Sequence, residues 1–191
     1  MSGASDSLEQ TIKALVAARA KDLRKILNQA TSLHAWGSLL KFGAGGNGLP
    51  HLGSGWSAPE PGFTWSVGPV ATLVFPTPAP CLDVQLRVHL TPFYAKAGNH
   101  QTIRIMIAGR QVAAWHADGT GWFAARIPAG LLVPGRTDLR FLIESPISPA
   151  EAGTGDDDRE LGFALSELVM DEITDGISQE PPRSTERIPG Q

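Results

Sequence analysis

The sequence predicts an all-β protein: an antiparallel two-sheet β-sandwich preceded by one long N-terminal α-helix. Three observations carry that expectation. From Leu82 to Leu90, Leu and Val alternate strictly with Asp83, Gln85, Arg87 and His89, and a period of two means a strand with one dry and one wet face. No Gly or Pro interrupts Ala4 to Trp36, while the chain as a whole holds 21 Gly and 15 Pro. Beyond residue 55 no helical pattern separates the strand candidates, which excludes βαβ crossovers and leaves a two-layer antiparallel solution.

The elements follow in chain order. Residues 1–42 form an N-terminal unit whose helix spans 6–34, with Asp6, Ser7 and Glu9 supplying N-cap and capping-box chemistry. Ile12, Val16, Leu23, Ile26, Ala30 and Leu33, with Arg19 between, alternate spacings of four and three. This is a heptad seam with one charged intruder. Residues 1–42 carry a net charge of +3 and residues 43–191 carry −6. The seam either lies on its own domain, self-associates into a homo-oligomer, or docks on a partner. Residues 43–55, GAGGNGLPHLGSG, read as a Gly-rich flexible linker; the segment lacks G-x-x-x-x-G-K-[ST] and the strand–loop–helix setting of a phosphate cradle.

Residues 56–174 form the sandwich. Strands are expected at Thr64–Val67, Val70–Phe75, Leu82–Leu90, Ile103–Ile107, Gln111–Trp115, Trp122–Ile127, Leu139–Ile143 and Leu161–Asp171, with Gly109-Arg110 turning one hairpin. Residues 175–191, rich in Pro, Ser and charge, read as a disordered tail.

Composition removes several function classes. A net charge of −3 argues against a general nucleic-acid binder, which needs a basic footprint. No run of about 18 apolar residues can cross a bilayer. Met1–Gln10 is polar and acidic, without the basic start and apolar run of a signal peptide, so the expected location is cytoplasmic. A lone Cys81 forms no internal disulfide and reads as a packed small hydrophobe. The five histidines show no ligand spacing, and neither a metal nor a cofactor is expected. No G-x-S-x-G nucleophile elbow is present.

Three stretches together resemble a β-sandwich accessory domain that accompanies glycosyltransferases in bacterial polysaccharide-assembly proteins. They are Gly55-Trp56-Ser57-Ala58-Pro59-Glu60 with Trp65-Ser66-x-Gly68; Ile107-Ala108-Gly109-Arg110-Gln111-Val112 with Trp115; and Ser145-Pro146-x-Ser148-Pro149-Ala150-Glu151 with Asp158-Arg159-x-Leu161-Gly162-x-Ala164-Leu165. The resemblance covers about residues 53–172. It departs at Ala108, where the pattern carries Asn before Gly, and in lacking a fused glycosyltransferase domain. It implies a jelly-roll-like fold and a link to polysaccharide synthesis, with a glycan or a glycosyltransferase as partner. It does not imply catalysis.

The candidate ligand-binding residues are Trp56, Trp65, Trp115 and Trp122, with Glu60, Asp158 and Arg159. A flat aromatic plate rimmed by polar groups suits the C–H faces of a sugar; the alternative is that these rings cap the ends of the core. Glu60 lies between two prolines, and Arg159 precedes an apolar strand, so a bidentate Arg159 contact to Glu60 or Asp158 would tie the first strand to the last. The same carboxylates could instead bond sugar hydroxyls. Asp156-Asp157-Asp158 lacks the D-x-D-x-D-G spacing of a calcium loop and reads as a solvated acidic loop. The functional expectation is a non-catalytic, carbohydrate-binding-like accessory of polysaccharide synthesis. The competing readings are an oligomerising scaffold without sugar binding, and a small glycoside hydrolase built on Glu60 with Glu151 or Asp158.

Overall fold

The computed structural model describes residues 36–79, 81–94 and 100–173, together with Arg19 alone upstream. Nine strands follow one another: β1 (Leu40–Lys41), β2 (Thr64–Val67), β3 (Val70–Phe75), β4 (Val84–Pro92), β5 (Gln101–Ile107), β6 (Arg110–Ala117), β7 (Gly121–Ile127), β8 (Thr137–Ile143) and β9 (Leu161–Glu172). One helical turn, α1 (Pro149–Ala152), precedes β9. The helix expected over residues 6–34, its role in self-association, and the tail over 175–191 lie outside the described residues, Arg19 excepted.

The strands pair into two antiparallel sheets. In one, β9 lies between β4 and the edge formed by β1 and β2, and β4 pairs on its far side with β7; in the other the order is β3-β8-β5-β6. Consecutive strands β2–β5 alternate between the layers, as do β6–β9, and β5–β6 is the one hairpin within a sheet. This is a double-sheet wrap of the jelly-roll type. The alternation read from the sequence supplies the core. Val84, Leu86, Val88 and Leu90 of β4 face Ile103, Ile105, Leu139 and Phe141 of the other sheet, all at most 1% exposed. Leu82 lies ahead of β4 and is exposed, so the strand starts two residues later than the pattern suggested.

The glycine-rich stretch departs from expectation. It is not a flexible linker, and the sandwich begins near Trp36 rather than at residue 56. A two-layer sandwich has open edges, and unpaired backbone groups there must be covered. Residues 52–54 run along the open edge of β3: Leu52 bridges Leu73, the Gly53 N–H donates to the Thr72 carbonyl, and the Thr72 N–H donates to the Ser54 carbonyl. On the other side β1 pairs with β9, and Phe42, fully buried, donates its N–H to the Ser166 carbonyl. The glycines are there for close approach. A Cβ on Gly46 would stand 2.1 Å from the Lys41 carbonyl oxygen, and one on Gly55, which sits at φ +81°, would stand 2.0 Å from that of Val70.

Buried polar groups on β2 complete this edge. Thr64 donates its hydroxyl to the Phe42 carbonyl, and the Ser66 hydroxyl accepts from the Phe163 N–H. Thr64 bonds a backbone group left open where β1 stops and β2 begins, and Ser66 one left open at the register shift between β2 and β9. Arg159 does not bind Glu60 or Asp158. Its guanidinium forks onto Asp157, at 3.0 and 2.6 Å, within the loop entering β9. Those hydrogen bonds, with one from the Arg159 backbone N–H, pull the Asp157 carboxyl down to about 2.

The β5–β6 hairpin turns at Ala108-Gly109, one residue earlier than Gly109-Arg110. Ile107 and Arg110 pair across it, and both central residues have positive φ, 48° and 75°. That is the requirement of a type I′ turn, which Ala meets with strain because its Cβ crowds the backbone there. Ala108→Asn is expected to raise unfolding free energy by about 0.5–1 kcal/mol, since Asn tolerates the left-handed region. Equilibrium denaturation checks this, and an unchanged or lowered midpoint contradicts it.

His51 stacks on Phe75, with ring centroids 4.8 Å apart, and its Nδ1 lies 3.0 Å from the Val74 carbonyl oxygen. Burial pushes its pKa below 6.5, partly offset by the bond to Val74. Near pH 6.5 the unfolded chain therefore binds more protons than the folded one at this site, and stability falls as pH drops through that value. Below the folded pKa the loss levels off, because both states are then protonated. The difference in stability between wild type and His51→Phe should shrink at acidic pH; a pH-independent difference would contradict this.

Candidate functional site

Of the four sandwich tryptophans, Trp115 belongs to the core and Trp56 is half-buried against it. Trp115 is 6% exposed and sends its indole N–H across the layers to the Ala124 carbonyl of β7, at 2.9 Å. It therefore clips the β6 edge of one sheet to the β7 edge of the other. Trp56 does the same at the opposite margin. It bridges Ser66 of β2, donates from its indole N–H to the Thr72 carbonyl of β3 at 2.8 Å, and packs edge-on against Phe141 and Phe163. Both indole N–H groups are thus spent on the sandwich itself. An N–H that must cover an open edge holds its ring inward.

Trp122 is different. It lies on β7 and is 50% exposed. Strand register places it on the outer face of the five-stranded sheet. Trp122 pairs with His89 of β4, His89 with Glu167 of β9, and Glu167 with Lys41 of β1. The result is one cross-strand row of an aromatic plate, an imidazole, a carboxylate and an ammonium. The His89 ring meets the Trp122 ring at a centroid distance of 5.2 Å and 63°.

A β-bulge shapes the centre of this row. His89 pairs with Glu167 but Leu90 pairs with Leu165, so Ser166 is the extra residue. Bulges re-aim side chains, and here the bulge brings the Ser166 hydroxyl to His89. Nδ1 of His89 lies 2.6 Å from Ser166 Oγ, which in turn donates to the His89 carbonyl at 3.0 Å. A carbonyl only accepts, so both contacts are hydrogen bonds only if Nδ1 donates to the serine oxygen. The neutral ring then carries its lone pair on Nε2, which meets no donor among the described residues and is available to a ligand hydroxyl. Ser166, whose proton is committed to the carbonyl, is not an activated nucleophile.

Beside the row lies an open hollow of about 460 Å³, walled by Lys41, residues 43–46, Pro61, Gly62, His89, Ser166 and Glu167. Glu60 belongs to the turn that forms this wall. Its N–H donates to the Phe63 carbonyl and its carbonyl accepts from the Ala44 N–H. Trp65 faces the same side of the sheet two residues along. It pairs with Ala164, which pairs with Thr91, and it packs edge-on against Phe63 and Phe93. Asp158 is exposed in the loop before β9.

Of the seven residues singled out from the sequence, Trp122, Trp65 and Glu60 therefore border one face. Trp115 is core, Trp56 packs against it, and Asp158 and Arg159 lie in a neighbouring loop. His89, Ser166, Glu167 and Lys41 were missed. His89 carried a signal, as a wet-face residue of the strict alternation; Ser166 and Glu167 carried none, because the bulge that exposes them depends on pairing with β4.

Among the described residues no three His, Cys, Asp or Glu side chains converge as a metal site requires, and no helix is long and apolar enough to cross a membrane. A second groove, of about 410 Å³, lies on the outer face of the other sheet, between Met106, Leu131, Val133 and the Arg136–Asp138 ion pair. It has no aromatic plate.

No family model matches the chain, and no curated protein matches it. Solved structures similar to it include a carbohydrate-binding module, CBM36, in complex with calcium and xylotriose (12% identity, 62% of this chain, 91% of that one, TM-score 0.37). Another is the CBM36-1 domain of a multidomain xylanase from the hindgut metagenome of Trinervitermes trinervoides (9% identity, 73% of this chain, 98% of that one, TM-score 0.41). A third is a family 35 carbohydrate binding module from an environmental isolate (10% identity, 62% of this chain, 73% of that one, TM-score 0.37). Superpositions this loose transfer no ligand and no residue role; the fold rests on the strand pairing itself.

Truncation to alanine separates core rings from plate. Trp115→Ala should cost about 3–5 kcal/mol of stability, as cavity-forming changes do, and Trp56→Ala, at a half-buried ring, a smaller amount. Trp122→Ala should stay within about 0.5–1 kcal/mol of wild type, as exposed positions do. Chemical denaturation of the three variants decides, and a Trp122→Ala loss as large as that of Trp115→Ala would remove Trp122 from the surface role.

Proposed function

We propose that the outer face of the five-stranded sheet binds carbohydrate and that the protein is a non-catalytic accessory of polysaccharide synthesis. The exposed Trp122 plate, braced edge-on by His89 in one row with Glu167 and Lys41, is the observation that carries the reading. Sugars present apolar C–H faces and polar hydroxyl rims together. An indole face answers the first, and an unpaired imidazole acceptor, a carboxylate and an ammonium answer the second. The accessory role rests on the three motif stretches. Each serves the sandwich itself, as an edge clip at Trp56, a hairpin at Ala108-Gly109 and the Ser148-capped turn α1.

Catalysis is not part of the proposal. The serine on this face lacks a base to activate it, and the site is an open sheet surface without the water-excluding enclosure that hydrolysis favours.

A glycan array followed by calorimetry on the hits tests the reading. Binding is expected for wild type, with a loss of about tenfold or more in Trp122→Ala, since stacked aromatic anchors dominate such contacts. If no glycan binds, or if Trp122→Ala binds as wild type does, the face is not a sugar site, and the scaffold reading takes its place.

A further inference from the structure

Two aromatic plates share the outer face of the five-stranded sheet, and their separation constrains what could lie on them. Trp65 is on β2 and Trp122 on β7, with β9 and β4 between. Trp65 aligns through Ala164 with Thr91, and Trp122 aligns with His89. The two rings are therefore three strand spacings apart laterally and two residues apart along the strands, a diagonal of about 16 Å between backbones. That span exceeds any single pyranose ring, so a monosaccharide touches at most one plate.

Between the plates Ala164 is buried beside Trp65, and the groups beyond it are polar. Thr91 is exposed and shares a hydrogen bond with Thr120, at 2.9 Å. His89 presents Nε2, and Ser166 and Glu167 flank it on β9. Trp65 is half-buried, with Phe63 and Phe93 packed against it at centroid distances of 5.4 and 5.8 Å and angles of 75° and 83°. T-shaped contacts of this kind fix the ring's orientation. The aromatic groups thus stand at the two ends of a hydrogen-bonding floor.

We infer that the ligand of this face is a linear oligosaccharide or a stretch of polysaccharide lying diagonally from Trp122 to Trp65, and not a single terminal sugar. The inference rests on the carbohydrate reading above and adds chain length as the recognised property. Each plate supplies a stacking contact, and joining two contacts in one ligand gains affinity, because the second forms at high effective concentration.

The experiment is calorimetry with monosaccharide-to-hexasaccharide series of β-1,4-linked glucose, β-1,4-linked mannose and α-1,4-linked glucose. Affinity for the bound series should rise by about tenfold or more once the oligomer reaches both plates. Trp65→Ala should erase that rise, whereas Trp122→Ala should weaken every length. Thr91→Arg, at an exposed position outside the core, should block the passage and flatten the length dependence without lowering the melting temperature. This second variant guards against misfolding in Trp65→Ala. If short and long ligands bind equally, or neither Trp65→Ala nor Thr91→Arg changes the length dependence, the inference falls and the carbohydrate reading stands. If no member of any series binds and the glycan array is also blank, both fall together.

Discussion

Covering strand edges is the constraint that organises this molecule. Two stacked sheets leave rows of backbone N–H and C=O groups at their margins, and water or another chain will take them unless the protein does. Here the β2–β3 margin is covered by residues 52–54 and clipped by the Trp56 indole, and the β6–β7 margin is clipped by the Trp115 indole. The free edge of β9, too long for either β1 or β2 alone, is covered by both in succession. Between them Phe42 continues the ladder and Thr64 turns its hydroxyl to the Phe42 carbonyl, while Ser66 takes the Phe163 N–H at the register shift within β2.

The same edge arrangement creates the candidate site. Because β1 and β2 come from either side of a looped segment, the chain between them rises beside β9 and walls a hollow with glycines and the Pro61-Gly62 turn. Opposite, the Ser166 bulge in β9 changes the register against β4 by one residue and sets Ser166 and Glu167 around His89. A bulge leaves a residue unpaired in the ladder. In this case the serine hydroxyl bonds both the ring and the carbonyl of His89, so the irregularity is locally satisfied and fixes the imidazole tautomer.

Aromatic residues divide between structural and exposed roles according to what their polar atoms are asked to do. Trp36, Trp56 and Trp115 each spend the indole N–H on a backbone carbonyl, at Pro76, Thr72 and Ala124, and each lies against the core. Trp122 is half exposed and braced only from the edge by His89. The surface ion pairs Arg87–Asp171 and Arg104–Glu144 are solvent-exposed. They contribute little beyond keeping the outer faces wet, since screened pairs of this kind are worth at most about 1 kcal/mol.

The all-β class, the eight sandwich strands and the division of β4, β5 and β8 into dry and wet faces were legible in the chain, because side-chain alternation is a local consequence of the extended backbone. So was the capping signature Ser148-Pro149-x-Glu151, which becomes α1 with the Ser148 hydroxyl accepting from the Glu151 N–H. What only the tertiary structure decided was which glycines pack and which tryptophans face water. Gly43 to Gly55 resembles a flexible spacer until β1, β3 and β9 come alongside it, and Trp56 resembles Trp122 until an open strand edge claims its N–H. The site row Lys41–Glu167–His89–Trp122 draws on four strands far apart in sequence, aligned by register and one bulge. Pairing of that kind is a property of which strands become neighbours, and it leaves no periodic trace in any one of them.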